Sequence, residues 1–162
     1  MSLITRKVKS GIIEIKNSTI KKIFSEQKQF EKDAYWLDKL NSKWTPKILE
    51  VGNNYILSEY YGPDLLISYN RNTLWDDIPN ITEQICEMYS FFKENDLYKF
   101  NGALSNLTSN NKQVVAFDFK YARHRTEPAC SLGECLEWEI KSFDKWLIKI
   151  DPTLPEKLRK IV

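Results

Sequence analysis

The apolar positions follow one period in the first sixty residues and another after them. Ile12-Ile13-Glu14-Ile15 and Thr19-Ile20-Lys21-Lys22-Ile23-Phe24 are rich in β-branched residues and flank the polar break Lys16-Asn17-Ser18. That arrangement predicts strand, tight turn, strand. A strand around Leu3 to Val8, with Ser10-Gly11 as the turn, completes a three-stranded antiparallel meander. Phe30, Ala34, Leu37 and Leu40 then keep helical spacing, widened by Tyr35 and Trp36, with Glu31, Lys32, Asp33, Asp38 and Lys39 on the polar face. Lys47 to Val51 and Tyr55 to Tyr60 predict a hairpin over Gly52-Asn53-Asn54.

Tyr61-Gly62-Pro63-Asp64 punctuates the chain and sets a boundary between residues 1–61 and 62–162. Beyond it the pattern is helical. Leu65 to Asn80 reads as a short helix and a loop ending at Pro79. Ile81, Ile85, Met88 and Phe92 share one face of a helix over 82–95, and Leu132, Leu136, Ile140, Phe143, Leu147 and Ile150 mark a long amphipathic helix. Pro155 to Ile161 predicts a last short one. Between these helices, Lys99 to Lys120 reads as a loop carrying Asn101 and Asn106, a turn at Ser109-Asn110-Asn111, and the apolar strand Val114 to Phe117, which delivers Asp118. The polar segment 121–128 follows. The fold class expected is α+β.

Composition narrows the partners. An apolar share of 42% with 13% aromatics is globular. A formal net charge of +2 demands neither a nucleic acid nor an anionic membrane. The N-terminus lacks the apolar core of a signal peptide, and no apolar run approaches the ~20 residues of a spanning helix, so a cytoplasmic protein is expected. Cys86, Cys130 and Cys135 form no C-x-x-C pair, and with the one histidine, His124, they give no zinc pattern, which leaves reduced and mostly buried thiols. Trp36, Trp44, Trp75, Trp138 and Trp146 are core by default, although Trp138 falls off its helical stripe and could mark a contact face.

The candidate chemistry centres on Asn106 and Asp118. An Asn and an Asp joined by a tight return can aim two oxygen ligands at one hard cation. The alternative is an Asp that caps the next turn. On the predicted strand, Lys21 and Lys22 point to opposite faces; if Ile20 and Lys22 share the inner one, Lys22 lines a cleft and Lys21 meets solvent. Asp33 either reaches that cleft or belongs to a solvated helix face. Lys120, Arg123, His124 and Arg125 form a basic cluster that could hold a phosphate or an acidic partner, or simply a solvated loop.

In this order, these residues resemble the protein-kinase-like fold. Lys22 in Ile20-Lys21-Lys22-Ile23-Phe24 looks like the third-strand lysine that grips the α/β-phosphates, and Asp33 in Phe30 to Leu40 falls where that lysine's acidic partner is expected. Ile56 to Gly62, ILSEYYG, resembles the fifth strand and hinge, where the backbone at Glu59 and Tyr61 would meet adenine. Asn106 and Asp118 match the metal-binding Asn and the Asp of D-F-G. Counting back five residues from Asn106 places Asn101 where the catalytic Asp belongs, with Lys99 at the His position. Phe119-Lys120 replaces Phe-Gly, and Gly11 alone stands for the glycine-rich loop. In its compactness the chain is similar to the small atypical Ser/Thr kinase of the tRNA-modifying KEOPS complex and to compact phage and bacterial kinase-like proteins.

The resemblance implies a bilobal fold, with an N-terminal antiparallel β lobe carrying one helix and a reduced helical C-terminal lobe. It implies ATP with Mg²⁺ or Mn²⁺ as cofactors and a protein partner or phosphoacceptor. With Asn101 in place of the base, it implies a pseudokinase or a weak ATP-dependent phosphotransferase. The alternative is a non-catalytic scaffold on the same fold without nucleotide.

Overall fold

Alternating β-branched residues build the first half of the chain as a sheet. The computed structural model describes residues 2–61, 78–98, 106–124, 148 and 150–161. Strands β1 (Ile4–Val8), β2 (Gly11–Lys16), β3 (Thr19–Phe24), β4 (Ile48–Val51) and β5 (Tyr55–Glu59) form one antiparallel sheet in the order β1-β2-β3-β5-β4. The first turn is Lys9-Ser10 rather than Ser10-Gly11, because Gly11 already pairs with Val8. Gly11 (φ +141°) instead permits a close approach, since a Cβ there would lie 1.9 Å from the Ile23 carbonyl oxygen. A register shift between Ile48 and Glu50 interrupts β4 and leaves Leu49 exposed.

Helix α1 (Gln27–Lys39) packs against β3, β4 and β5. Its buried face is Phe30, Asp33, Trp36 and Leu37. Asp33 is therefore not on the polar face, where its charge alone would place it; its partners lie inside. Trp36 and Trp44 are core, as expected.

In the second half, α2 (Ile81–Glu94) buries Thr82, Ile85, Met88 and Phe92. It packs against α3 (Leu154–Ile161), where Lys93 Nζ donates to the Ile161 carbonyl at 2.6 Å. Two small antiparallel sheets accompany them. Leu97–Tyr98 (β6) pairs with Arg123–His124 (β9), inside the segment read from its composition as a polar connection. Two-residue strands are too short to show a period. Leu107–Asn110 (β7) pairs with Gln113–Ala116 (β8), and the turn is Asn111-Lys112 instead of Ser109-Asn110-Asn111. Both turn residues are left-handed (φ 48° and 67°), the two-residue geometry that matches strand twist.

The β7–β8 hairpin is tied to both halves. Ala116 N donates to the Trp44 carbonyl and Val114 N to Gln84 Oε1, each at 2.8 Å. One contiguous core runs from Phe24 and Trp36 through Phe92 and Val114 to Leu158. Ile148 and Ile150 are helical, but the rest of the expected 132–150 helix lies outside the described residues. So do Gly62-Pro63, Lys99, Asn101, Arg125, Cys130, Cys135, Trp75, Trp138 and Trp146. Among the described residues, no helix is long and apolar enough to cross a membrane.

Two backbone positions should respond in opposite directions. Gly11→Ala should cost about 3 kcal/mol, the upper range for a strained backbone. Lys112→Gly relieves a left-handed non-glycine residue and should add about 0.5–1 kcal/mol. Urea midpoints at unchanged slope measure both.

Candidate functional site

The β3–β5 register decides which way the central lysine points. Ile20 pairs with Ser58 and Lys22 with Ile56, and all four side chains line one cleft. Lys21 turns to the opposite face, its Nζ 4.0 Å from the Tyr55 ring centroid. Asp33 and Leu37 from α1, together with Thr108, Phe117 and Asp118 from the β7–β8 hairpin, complete much of the wall. The enclosed space is about 140 Å³, with Glu59, Tyr60 and Tyr61 also at its lining.

Three charged side chains, Lys22, Asp33 and Asp118, line the cleft, and a fourth, Lys120, reaches Asp118 from beside it. Lys22 Nζ lies 2.9 Å from Asp33 Oδ2 and 3.1 Å from Asp118 Oδ1. Lys120 Nζ lies 3.0 Å from Asp118 Oδ2 and donates to Ser10 Oγ at 3.4 Å. Asp33 Oδ1 accepts the Phe119 backbone N–H at 2.7 Å, so Asp33 holds both the strand lysine and the chain just beyond Asp118. Phe119 is fully buried, edge-on to Phe92 with centroids 6.0 Å apart. Asp118 itself is left-handed (φ 65°), a conformation Asp tolerates better than most side chains.

These contacts set the ionisation of the lysine. Burial pulls the Lys22 ammonium down, but the carboxylates of Asp33 and Asp118 outweigh it and hold the pKa above its ordinary value of 10.5.

The other expected site residues fall into place unevenly. Asn106 sits beside the end of β8, its carbonyl accepting the Phe117 N–H at 3.0 Å, which brings it next to Asp118. The side chains of Glu59 and Tyr61 turn to the start of β4: the Tyr61 hydroxyl accepts the Lys47 N–H and donates to Glu59 Oε2, both at 3.1 Å. Partial burial, followed by the Glu59 carboxylate, raises the Tyr61 phenol against the lowering effect of the Lys47 N–H. Of the basic cluster, Lys120 is no solvated loop residue, since its side chain is only 14% exposed. His124 Nδ1 lies 3.0 Å from Asp96 Oδ2, and its ring packs 4.7 Å from that of Trp36.

Ser10, Thr108 and Phe117 carried no sequence signal. They reach the site through pairing between distant segments. The donor set also disagrees with a divalent cation at Asp118. A hard cation needs several open oxygen ligands, whereas both Asp118 oxygens already accept from ammonium groups.

Compared with known proteins, the chain matches no family model and no curated protein.

Removing Asp33 should loosen the whole assembly. Asp33→Ala removes the acceptor of the Phe119 N–H and one of the two carboxylates on Lys22, and should cost about 3 kcal/mol, the lower range for breaking a buried pair. Asp33→Asn keeps an oxygen for Phe119 and should cost less. Because the folded pKa of Lys22 is raised, its stabilisation is fully present below its unfolded pKa, near 10.5, and is lost as pH rises through the folded value. The melting temperature should therefore carry a downward step above about pH 10.5 that a Lys22→Met variant lacks.

Proposed function

We propose that this chain is a kinase-like nucleotide-binding protein, a pseudokinase or a weak atypical Ser/Thr phosphotransferase, whose cleft takes ATP between a β lobe and a reduced C-terminal lobe. The observation that carries the reading is Lys22, held at 2.9 and 3.1 Å between Asp33 of α1 and Asp118 two residues past β8, inside a cleft lined by β3 and β5. A lysine fixed in this way is positioned before ligand arrives, and a phosphate oxygen gains from a donor that needs little reorganisation. Glu59, Tyr60 and Tyr61 line the same cleft, and in this reading their backbone would meet the base.

Transfer would proceed without a carboxylate base. Asn101 can orient a hydroxyl through its amide oxygen but cannot take its proton near neutral pH. Asp96, the nearest acid on the N-terminal side, is already bound to His124. General-base help is worth roughly 10²–10⁴-fold, or about 3–5 kcal/mol of barrier. Positioning by Lys22 would remain, so any turnover should be slow. The scaffold alternative draws on the exposed apolar residues Leu3, Ile4 and Ile12 of the first hairpin and its approach.

Millimolar ATP, supplied with Mg²⁺ or Mn²⁺, should raise the melting temperature. No rise would sink the nucleotide reading and leave the scaffold. Ile20→Phe fills the cleft without touching the ion pairs, and it should remove the rise. Asn101→Asp should increase ATPase or autophosphorylation by roughly 10²-fold if the loop delivers it to the transferred phosphate. An unchanged rate would mean that it does not.

A further inference from the structure

We propose that Lys120 is a built-in cation that takes the place of a divalent metal at Asp118, so that nucleotide binds this cleft without metal. The inference rests on the nucleotide reading above. It starts from the disagreement between the Asp118 donors and a hard cation. Asp118 Oδ1 is taken by Lys22 at 3.1 Å and Oδ2 by Lys120 at 3.0 Å. The two lysines therefore flank one carboxylate from its two oxygens.

The charges balance without any ion. Lys22 and Lys120 contribute two positive charges, Asp33 and Asp118 two negative ones, and all four side chains are at most one-fifth exposed. A divalent ion bound to Asp118 would add two more positive charges against two ammonium groups already in contact with it. With a small side chain at position 120 the cluster would instead carry a net negative charge and would attract a cation. Lys120 supplies that positive charge from two residues away, so it does not depend on metal concentration.

The placement of Lys120 fits the task. Its Nζ also reaches Ser10 Oγ at 3.4 Å, which ties the β1–β2 turn to the end of β8. Ser10 is buried, and its carbonyl accepts the Ser25 N–H. An ammonium carries three N–H donors. Among the described residues, two on Lys120 go to Asp118 and Ser10, and two on Lys22 go to Asp33 and Asp118. Each ammonium has one N–H beyond these two, and the proposal assigns it to a phosphate oxygen; Lys22 lines the cleft and Lys120 stands beside it at Asp118. Such a pair of point donors suits a di- or triphosphate better than an uncharged ligand.

Calorimetric titration of ATP into the intact chain, once in EDTA and once in excess Mg²⁺, tests this. The two dissociation constants should agree within about threefold, and Lys120→Gly should weaken binding in EDTA by about tenfold or more, with Mg²⁺ restoring it. Lys120→Met serves as a second variant should the glycine not fold, with the same loss expected in EDTA. Wild-type binding that improves tenfold or more with Mg²⁺ would overturn the role of Lys120 and keep the nucleotide site. So would a Lys120 variant that binds as tightly as wild type in EDTA. Binding in neither condition would overturn the nucleotide reading, and this inference with it.

Discussion

One buried carboxylate joins the two halves of this protein. Asp33 Oδ2 meets Lys22 on β3, and Oδ1 meets the backbone of Phe119 just past β8. A carboxylate at 3% exposure is costly to desolvate, by several kcal/mol, unless both oxygens find donors. Here one donor comes from the sheet and the other from a segment 86 residues away. The orientation of α1 against the sheet and the position of the β7–β8 hairpin are therefore linked through a single side chain. Misplacing either element would leave a buried charge short of a partner. The cleft exists because that condition is met.

The same constraint accounts for the geometry of Asp118. Phe119 is fixed by its backbone bond to Asp33 and by its edge contact with Phe92. Ala116, at the end of β8, is fixed by its bond to the Trp44 carbonyl. Only Phe117 and Asp118 separate these two anchors, and Asp118 takes a left-handed conformation. A left-handed non-glycine residue costs roughly 1–2 kcal/mol. The ion pairs of its carboxylate with Lys22 and Lys120 offset that cost. Strain at this point is the consequence of two anchors set close together, and it directs the carboxylate at the lysine.

How much of this was legible in the sequence depended on the range of the interaction. The five strands of the sheet and both well-described long helices follow from local period and turn chemistry, and their bounds differ by a residue or two from the expected ones. Alternation along β3 separated Lys22 from Lys21, but which of the two faces inward was decided by the pairing of β3 with β5. Asp33 could not be placed, because a charge on an amphipathic helix looks the same whether it meets water or a buried lysine from another element. The β6–β9 pair was not legible and the hairpin turn was expected two residues early, at Ser109-Asn110-Asn111, for a related reason. Their strands are short, and lysine is an unusual residue for a left-handed turn position. Lys120 was visible as one member of a basic cluster and as the residue in place of the Gly of Phe-Gly, but its contact with Ser10, 110 residues earlier, was not.

The charge balance of the cluster bears on whether the cleft needs a counter-ion. A cleft that relies on a metal carries uncompensated carboxylates when empty, and those repel one another in a poorly solvated site. The four groups here sum to zero, so the empty cleft is itself a stable arrangement. That stability would serve a protein whose main task is to hold a shape, with or without nucleotide. On the proposed nucleotide reading it would work against rapid phosphoryl transfer, because an ammonium engaged by Asp118 and Ser10 is less able than a metal to follow charge as it develops on a transferred group. In that proposed reading Asn101 and Lys120 would act in one direction: Asn101 would offer no proton acceptor, and Lys120 would stand as a fixed single charge where a divalent ion is expected.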